Sequence, residues 1–431
     1  MTHSSLARLD EVSRHHYISK GIRAIKLSLF PVYDSVLAHD IRAFAMYHLS
    51  DLRQGIESWH EALDWLPNGG TSVEVCQRAI TRAVSLAESW EELAARGVDA
   101  SRADHLMISQ AHEQYLQRYE DYDRLSCSLT QIITSAMGRM PTATWIKIYD
   151  PNIYKPPRWT PRVLDQPDSL LNCLLLPVGW SDVRQRRLGW LAPPPSHPIC
   201  ELLLSIQQLG ISLVGLDIET PPPVPSSSAS NMAITHDPTV FHHAVKRLKA
   251  VSFNLRDIWG KYWTGRAPEE WAYLTSFLLS LLHTDSLRKI SLNFNFMRTD
   301  DPRSLLSMAP LLLSYTWPNL QHLYFNGPFH FEELKAAVKP LGQNAKLQWC
   351  GYLMSGSWAD VLDFLRERNG PKQELGDQNG SIYGQECDRM SEDERNFIFW
   401  NDLRFHLTSR ATDYIRRCLA SNPVRDWEMV N

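Results

Sequence analysis

The residues that could carry chemistry are thinly spread in this sequence. His236, His242 and His243 lie close together, but no cysteine or carboxylate accompanies them at the spacing of metal ligands. His60 precedes Glu61 in WHEALDW, yet the second histidine of a zinc-protease helix is missing. We therefore predict no metal site, and we interpret His60 and Glu61 as a pair on a helix surface.

Motifs for nucleophiles and phosphates are missing as well. GYLMSGSW, from Gly351 to Trp358, places serines near glycines, but the spacing is not that of a nucleophile elbow, so it predicts a turn before a helix. DQNGSIYGQE is similar to a calcium-binding loop, but Ile382 stands where the sharp turn needs glycine. No glycine-rich phosphate loop is present. The sequence thus predicts no catalytic residue and no cofactor, and we expect a protein that is not an enzyme.

Composition and charge exclude several classes of partner. The 431 residues are 44% apolar and 21% charged, which is the composition of a folded globular protein. The net charge of −4 gives no field to attract nucleic acid, and the cluster of Arg184, Arg186 and Arg187 is interpreted as solvated surface. The longest apolar runs are shorter than the roughly 20 residues that cross a bilayer, so no membrane partner is expected.

The cysteines and the first residues indicate the compartment. The seven cysteines are scattered and none belongs to a C-x-x-C pair, which is typical of free thiols in a reducing compartment. The segment MTHSSLARLDEVSRHHY lacks the apolar stretch of a secretory signal. We therefore expect a cytoplasmic or nuclear protein.

Helical periodicity dominates residues 34–139, which follow an N-terminal helix and a first strand in residues 1–33. Apolar residues recur there at steps of three and four, as in the series Leu37, Ile41, Phe44, Ala45 and Leu49. Two further helical stretches follow the turn signal PNGG. Three helices joined by short turns predict an antiparallel bundle, inserted between strands.

The rest of the chain alternates strands and helices. The pattern L-x-x-L-x-L, whose apolar residues point inward from the short strand of a leucine-rich repeat, can be placed seven times. The seven frames are Ile22/Ile25/Leu27, Ala143/Ile146/Ile148, Leu213/Leu216/Ile218, Leu248/Val251/Phe253, Leu287/Ile290/Leu292, Leu320/Leu323/Phe325 and Leu347/Cys350/Tyr352. Helix-length segments separate the last four, which favours parallel strands joined by crossovers. The predicted fold class is α/β, an irregular leucine-rich-repeat-like solenoid over residues 140–370 with parallel strands and outer helices, plus the inserted helical bundle.

The bare pattern also occurs by chance. With 44% apolar residues, three specified positions are all apolar in about 0.085 of windows, or roughly 36 times in this chain. The frames from Leu248 onward start 39, 33 and 27 residues apart, longer and less even than the usual interval of about 20 to 29. An ordinary α/β domain therefore stays open beside the irregular solenoid.

Two segments have the composition of loops. Residues 219–237 are rich in proline and serine, which predicts a disordered loop. Residues 371–431 combine a flexible loop with a C-terminal helical extension. Ser391 and Glu394 have the spacing of a capping box at the start of that extension.

Four segments together resemble the fungal F-box proteins with degenerate leucine-rich repeats. They are SLARLDEVSRHHYISKGIRAIKLSLF, YDSVLAHDIRAFA, PNLQHLYFNGPFHFEELKAAVKPLG and ATDYIRRCLASNPV. In that family an N-terminal F-box docks on the Skp-type adaptor of a cullin-based ubiquitin ligase, and the repeats hold the substrate. The resemblance implies a non-catalytic protein-binding scaffold, similar to the substrate-recognition part of an SCF-type receptor.

The F-box itself departs from the family pattern. Its Leu-Pro-x-Glu-Ile-like beginning does not precede Ser5, and WLPNGG at Trp65–Gly70 is followed by turn residues. We expect either a box encoded upstream of Met1 or a repeat module that has lost it, and a Skp-type adaptor is a partner only in the first case. The alternatives are a repeat scaffold unrelated to ubiquitin ligation and an α/β enzyme with an unrecognised site.

The predicted recognition surface consists of polar side chains that lie between the inward apolar residues. Such side chains project from the other side of each strand and can form hydrogen bonds to a protein partner. They are Ser252, Asn254, Ser291, Asn293, Tyr324 and Asn326. The alternative interpretation is that they are ordinary solvated strand residues.

Overall fold

The computed structural model describes most of the chain, as two compact units. The described residues are 3–28, 35–65, 71–99, 101–149, 159–176, 196–220, 238–255, 268–294, 307, 310–342, 345–369, 373–375, 382–384, 387, 389–399 and 409–430. The helical unit comprises Met1–Ala7, Phe30–Leu129 and Pro151–Ala192. The sheet unit comprises Arg8–Leu29, Thr130–Asp150 and Pro193–Asn431.

The described part of the chain forms helices in both units and short parallel strands in the sheet unit. In chain order the helices are α1 (His3–Arg14), α2 (Ile18–Gly21), α3 (Ser35–His39), α4 (Ile41–Trp65), α5 (Thr71–Arg96), α6 (Ala103–Gly138), α7 (Pro161–Asp165), α8 (Pro167–Leu174), α9 (Ser196–Gln208), α10 (Pro238–Val245), α11 (Pro268–Leu282), α12 (Pro310–Leu313), α13 (Phe331–Val338), α14 (Trp358–Asn369), α15 (Glu392–Phe399), α16 (Arg410–Ile415) and α17 (Pro423–Val430). The strands are β1 (Ala24–Ser28), β2 (Trp145–Tyr149), β3 (Gly215–Thr220), β4 (Ala250–Leu255), β5 (Lys289–Asn293), β6 (His322–Asn326), β7 (Phe329–His330), β8 (Lys346–Ser355), β9 (Gln373–Leu375) and β10 (Ile382–Gly384).

The helical unit has its own apolar core around α4, α5 and the first part of α6. Of the five residues that the periodicity placed on one face, Leu37, Phe44, Ala45 and Leu49 are fully buried in this core. They bury together because residues three and four apart lie on the same side of a helix. The three long helices predicted between residues 34 and 139 are therefore present.

The described residues 159–176 belong to the helical unit, whereas the sequence-based division put them in the repeat region. α7 and α8 each begin at a proline, whose fixed φ suits the first turn of a helix. Trp159 attaches the segment: its ring lies 5.9 Å from that of Trp90, and its Nε1 donates a hydrogen bond to Asp51 Oδ2 at 3.0 Å. Helices this short carry too few apolar residues for their spacing to reveal the partner.

The sheet unit contains one parallel sheet. Its main path runs β1-β2-β3-β4-β5-β6-β8-β10, and β7 and β9 both pair with β8. Each of these pairings is parallel. Along the main path the strands follow chain order, so its described strands contain no reversal of order. An α/β fold with a parallel sheet is thus confirmed.

The pairing register confirms six of the seven apolar frames. From β1 to β6, the second apolar residue of each frame pairs with the second of the next, beginning at Ile25 and ending at Leu323. The third residues pair in the same way, from Leu27 to Phe325. These residues are buried, since alternate side chains of a strand point to opposite sides of the sheet.

The seventh frame, Leu347/Cys350/Tyr352, is wrong. Leu347 is in register with the second apolar residue of β6, not the first. Trp349 takes the third position, with its ring stacked 4.6 Å from that of Phe325. From Trp349 onward the segment WCGYL has no charged or amide residue between its apolar ones, so composition there does not fix which residues point inward.

Parts of the two predicted loops have regular structure. Glu219 and Thr220, placed in the loop 219–237, are the last residues of β3, and residues 221–237 lie outside the described residues. Within 371–431, β9 and β10 extend the sheet and α15–α17 follow. The predicted capping box is confirmed, because Ser391 N and Oγ donate to Glu394 Oε2 at 2.7 and 2.8 Å, and Glu394 N donates to Ser391 Oγ at 3.2 Å.

A carboxylate joins the last two helices to α14. Asp363 accepts hydrogen bonds from Tyr414 Oη at 2.6 Å, Asn422 Nδ2 at 2.9 Å and Arg425 Nη2 at 2.9 Å. Burial by itself raises the pKa of Asp363, but these hydrogen bonds outweigh burial and lower the pKa. α14, α16 and α17 are therefore held together by one charged group.

Candidate functional site

The candidate site is the side of the sheet that carries the polar residues of each strand, which we call the strand face. It is formed by β1–β6 and β8, whose residues align in three rows across the sheet. The first row is Ala24, Trp145, Gly215, Ala250, Lys289, His322 and Lys346. The second row is Lys26, Lys147, Asp217, Ser252, Ser291, Tyr324 and Gln348. The third row is Ser28, Tyr149, Glu219, Asn254, Asn293, Asn326 and Cys350.

All six predicted recognition residues lie on the strand face. The second row contains three of them and the third row the other three, in the paired sets Ser252, Ser291, Tyr324 and Asn254, Asn293, Asn326. Asn326 is buried and the others are half-buried. The parallel order of β4, β5 and β6 brings them together, because each strand is the direct neighbour of the next. Their role in binding stays a prediction.

Two of the three asparagines in the third row have a buried side-chain atom without a hydrogen-bond partner. Asn254 Oδ1 and Asn326 Nδ2 are both buried, and neither has a hydrogen-bond partner among the described residues. A buried polar group without a partner costs about 1–3 kcal/mol of stability. Residues that break a local rule in this way are concentrated at functional sites.

A lysine between two carboxylates occupies the strand face at β2 and β3, and sequence analysis did not identify it. Lys147 Nζ lies 3.0 Å from Asp217 Oδ2 and 3.2 Å from Glu219 Oε2. Burial by itself lowers the pKa of Lys147, but the hydrogen bonds to the two carboxylates outweigh burial and raise the pKa. The sequence could have revealed this contact, because aligning WIKIY with GLDIE at their apolar residues places Lys147 beside Asp217.

An exposed tryptophan, Trp145, begins β2 and lies beside Gly215, which begins β3. Trp145 is 40% exposed, and a Cβ built on Gly215 would lie 2.2 Å from its ring atom Cδ2. Only a glycine at this position leaves room for the ring. On the neighbouring strand, Lys26 Nζ lies 4.1 Å from the centroid of the Tyr149 ring. Exposed aromatic residues held in one place are typical anchors of protein interfaces.

Among the described residues, the histidines noted in the sequence for metal binding do not belong to a group of metal ligands. His242 and His243 lie in the last turn of α10 with ring centroids 6.4 Å apart, and His236 is outside the described residues. His60 Nδ1 contacts Ile56 O of its own helix at 2.9 Å. Across the part of the chain that the structure describes, no three His, Cys, Asp or Glu side chains are grouped to hold a metal ion.

A serine–histidine pair that sequence spacing did not reveal lies at the end of β8. Ser355 Oγ is 2.7 Å from His330 Nδ1, and the two residues are register partners on β8 and β7. Gly356 follows at φ +100° and α14 begins at Trp358, so GYLMSGSW contains the turn before a helix that its spacing predicts. Within the described residues no carboxylate contacts His330 Nε2, the position of the group that orients a catalytic histidine.

Comparisons with known proteins return no match: no family model, no curated protein and no solved structure matches the chain. Among the described residues, none of the helices combines the length and the apolar character needed to span a bilayer. The function of the strand face therefore has to be inferred from its own residues.

Proposed function

We propose that the chain is a non-catalytic protein-binding scaffold, similar to the substrate-recognition part of an SCF-type ubiquitin ligase receptor and acting in the cytoplasm or nucleus. Its architecture in this proposal is an irregular leucine-rich-repeat-like solenoid. The observation that carries the proposal is the alignment of six polar side chains from three successive strands in two rows. A partner lying across these strands meets a continuous series of hydrogen-bonding groups on rigid backbone.

The strand order supports a repeat scaffold over a doubly wound enzyme fold. In doubly wound folds the order of strands reverses, and ligands bind in the crevice at that reversal. Here β1 to β6 follow chain order without a reversal among the described strands. In a repeat array each strand gains its burial from its neighbours, and the array leaves a long continuous face for a partner.

The chemistry of the strand face suits a protein partner. Serine, asparagine and tyrosine side chains can donate to and accept from a peptide backbone. Trp145, held against Gly215, supplies an apolar anchor on the same face. Protein interfaces combine such aromatic anchors with surrounding polar groups.

A paired variant tests the proposal. Asn293→Ala with Tyr324→Ala removes one side chain from each row, and we expect the proteins that co-purify specifically with the wild-type chain to be lost. The measurement is quantitative affinity purification from the native host, with far-UV circular dichroism to confirm that the variant is folded.

The matched control lies away from the strand face. Glu332→Ala with Lys339→Ala changes two exposed residues at the two ends of α13. We expect this variant to retain the wild-type set of proteins. If both variants capture the same set as the wild type, the strand face is not the recognition surface and the proposal fails.

Dependence on ubiquitin ligation is tested separately. If the protein docks on a ubiquitin ligase as the family resemblance implies, we expect a Skp-type adaptor to co-purify with it from the native host. Specific partners without the adaptor would instead favour a repeat scaffold that is unrelated to ubiquitin ligation.

A further inference from the structure

The charges of the strand face are divided unequally between its two halves. On β1–β3 the second and third rows hold two lysines and two carboxylates, and Lys147 contacts both carboxylates. On β4, β5, β6 and β8 the three rows hold no carboxylate. Their basic members all stand in the first row, as Lys289, His322 and Lys346.

The first row of this second half brings basic side chains directly beside one another. Lys289, His322 and Lys346 are register partners on neighbouring strands, which lie about 4.8 Å apart in a sheet. Lys289 and His322 are exposed, and neither has an ion-pair partner within the described residues. The next carboxylate across the sheet belongs to Glu374 of β9, the register partner of Gln348. Lys289 offers a positive charge and His322 beside it an imidazole N–H, so a carboxylate laid over the two can interact with both.

The basic character continues at the beginnings of β4 and β5. Lys249 and Arg288 immediately precede these strands, are exposed, and are joined by a backbone hydrogen bond of 2.8 Å. Asp285, in the turn before β5, accepts a hydrogen bond from Tyr315 Oη at 2.5 Å. This end of the sheet thus exposes several cations in a chain whose net charge is −4.

Uncharged hydrogen-bonding groups lie next to the cations. Ser291, Tyr324 and Gln348 follow in the second row, two residues further along each strand. Two residues of a strand span about 6.6 Å. A chain laid across these strands would therefore meet a positively charged row and, beside it, hydroxyl and amide groups that can bind its backbone.

We propose that this half of the strand face binds an acidic, extended segment of a partner protein, with carboxylates of the segment against Lys289 and His322. The inference rests on the proposed function and specifies the chemistry of its partner. A short acidic segment needs only local complementarity of charge. A nucleic acid, in contrast, gains its affinity from many phosphate contacts, for which a chain of net charge −4 provides little support.

The test uses a display library of random short peptides, selected on the purified full chain. We expect the wild type to enrich peptides rich in aspartate and glutamate. A synthetic copy of an enriched peptide should bind Lys289→Glu about fivefold to tenfold more weakly, because the variant loses an attraction and gains a repulsion. Lys339→Glu is the matched control, since it reverses an exposed lysine beyond α13 and should keep the wild-type affinity. Circular dichroism verifies that both variants are folded.

The other outcomes separate this inference from the proposed function. If the wild type enriches uncharged peptides, and Asn293→Ala with Tyr324→Ala loses them, the inference of an acidic segment is overturned. The strand face is then still supported as the binding surface. No enrichment, or enrichment that none of these variants changes, overturns both. The inference is overturned in favour of nucleic acid if the wild type binds single-stranded poly(U) RNA and does not bind acidic peptides, and if Lys289→Glu weakens the binding of that RNA.

Discussion

Replacing Lys147 by methionine tests whether ion pairs hold the charged part of the strand face. Methionine keeps much of the apolar stem and removes the ammonium from between Asp217 and Glu219. Only 7% of the Glu219 side chain is exposed, so the variant takes a cation away from a carboxylate that has little access to water. Breaking a fully buried ion pair costs about 3–5 kcal/mol, and an exposed pair contributes about 0–1 kcal/mol.

The expected loss lies between these limits. Because 38% of the Lys147 side chain is exposed, solvent screens part of the interaction. We expect Lys147→Met to lower the free energy of unfolding by about 1–2 kcal/mol at neutral pH. A double-mutant cycle with Glu219→Gln should give a coupling energy of about 1 kcal/mol, measured by urea denaturation followed by circular dichroism.

An exposed pair provides the control for this prediction. Lys335 Nζ contacts Glu332, whose side chain is 80% exposed, and Lys335→Met should cost less than about 0.5 kcal/mol. The sign of the pH dependence follows from the raised pKa of Lys147. Its contribution is complete below the ordinary lysine pKa of 10.5 and is lost as the pH rises through the higher folded value. A coupling energy indistinguishable from zero would refute the reasoning.

Three further predictions concern other parts of the molecule. Gly351 lies at φ +115°, where a Cβ would be 2.2 Å from a backbone oxygen. Gly351→Ala should therefore lower the free energy of unfolding, measured by urea denaturation, by roughly 2–4 kcal/mol. Gly342→Ala is the control and should have little effect, because no atom lies within 4 Å of the added Cβ. Burial lowers the pKa of His112, so the unfolded chain binds more protons than the folded one as the pH drops below 6.5. The melting temperature of the wild type should therefore fall in this range, and that of His112→Gln should fall less. An equal fall in the two proteins would contradict this prediction. Asp363→Asn should lower the free energy of unfolding by about 1–2 kcal/mol at neutral pH, because it weakens the contact with Arg425. Because the pKa of Asp363 is lowered in the folded chain, this difference between wild type and variant should be complete above pH 3.8 and vanish as the pH falls through the folded pKa. A difference that persists in stronger acid would count against this role.

Apolar periodicity was sufficient to predict the elements that bury only one side. In the segment WIKIY, Ile146 and Ile148 alternate with half-exposed residues, and this alternation fixes which side of β2 faces the core. In β8 the alternation fails, because Trp349, Cys350 and Gly351 are consecutive and all buried. The frame there is set by pairing with β6 and by a glycine at positive φ, and neither is visible in the composition of β8.

The candidate site was predictable where polar and apolar residues alternate within one strand, as Ser291 and Asn293 do with the apolar residues of β5. The contacts that were missed all depend on a neighbouring strand. Gly215 has to be glycine only because Trp145 of β2 lies against it. Likewise, Lys147 contacts carboxylates from β3, about 70 residues later in the chain, so its partners follow from the register and not from nearby sequence.

The long insertion between the first two strands has a consequence for aggregation. Ala24 of β1 pairs with Trp145 of β2, 121 residues later, whereas Ala250 and Lys289, paired between β4 and β5, are 39 residues apart. Closing the longer loop as a flexible chain costs about 1 kcal/mol more. A variant that unfolds the helical unit would therefore loosen β1 as well and leave the edge of β2 open to strands of other molecules. Solubility of the whole chain should thus depend on the stability of its inserted helices.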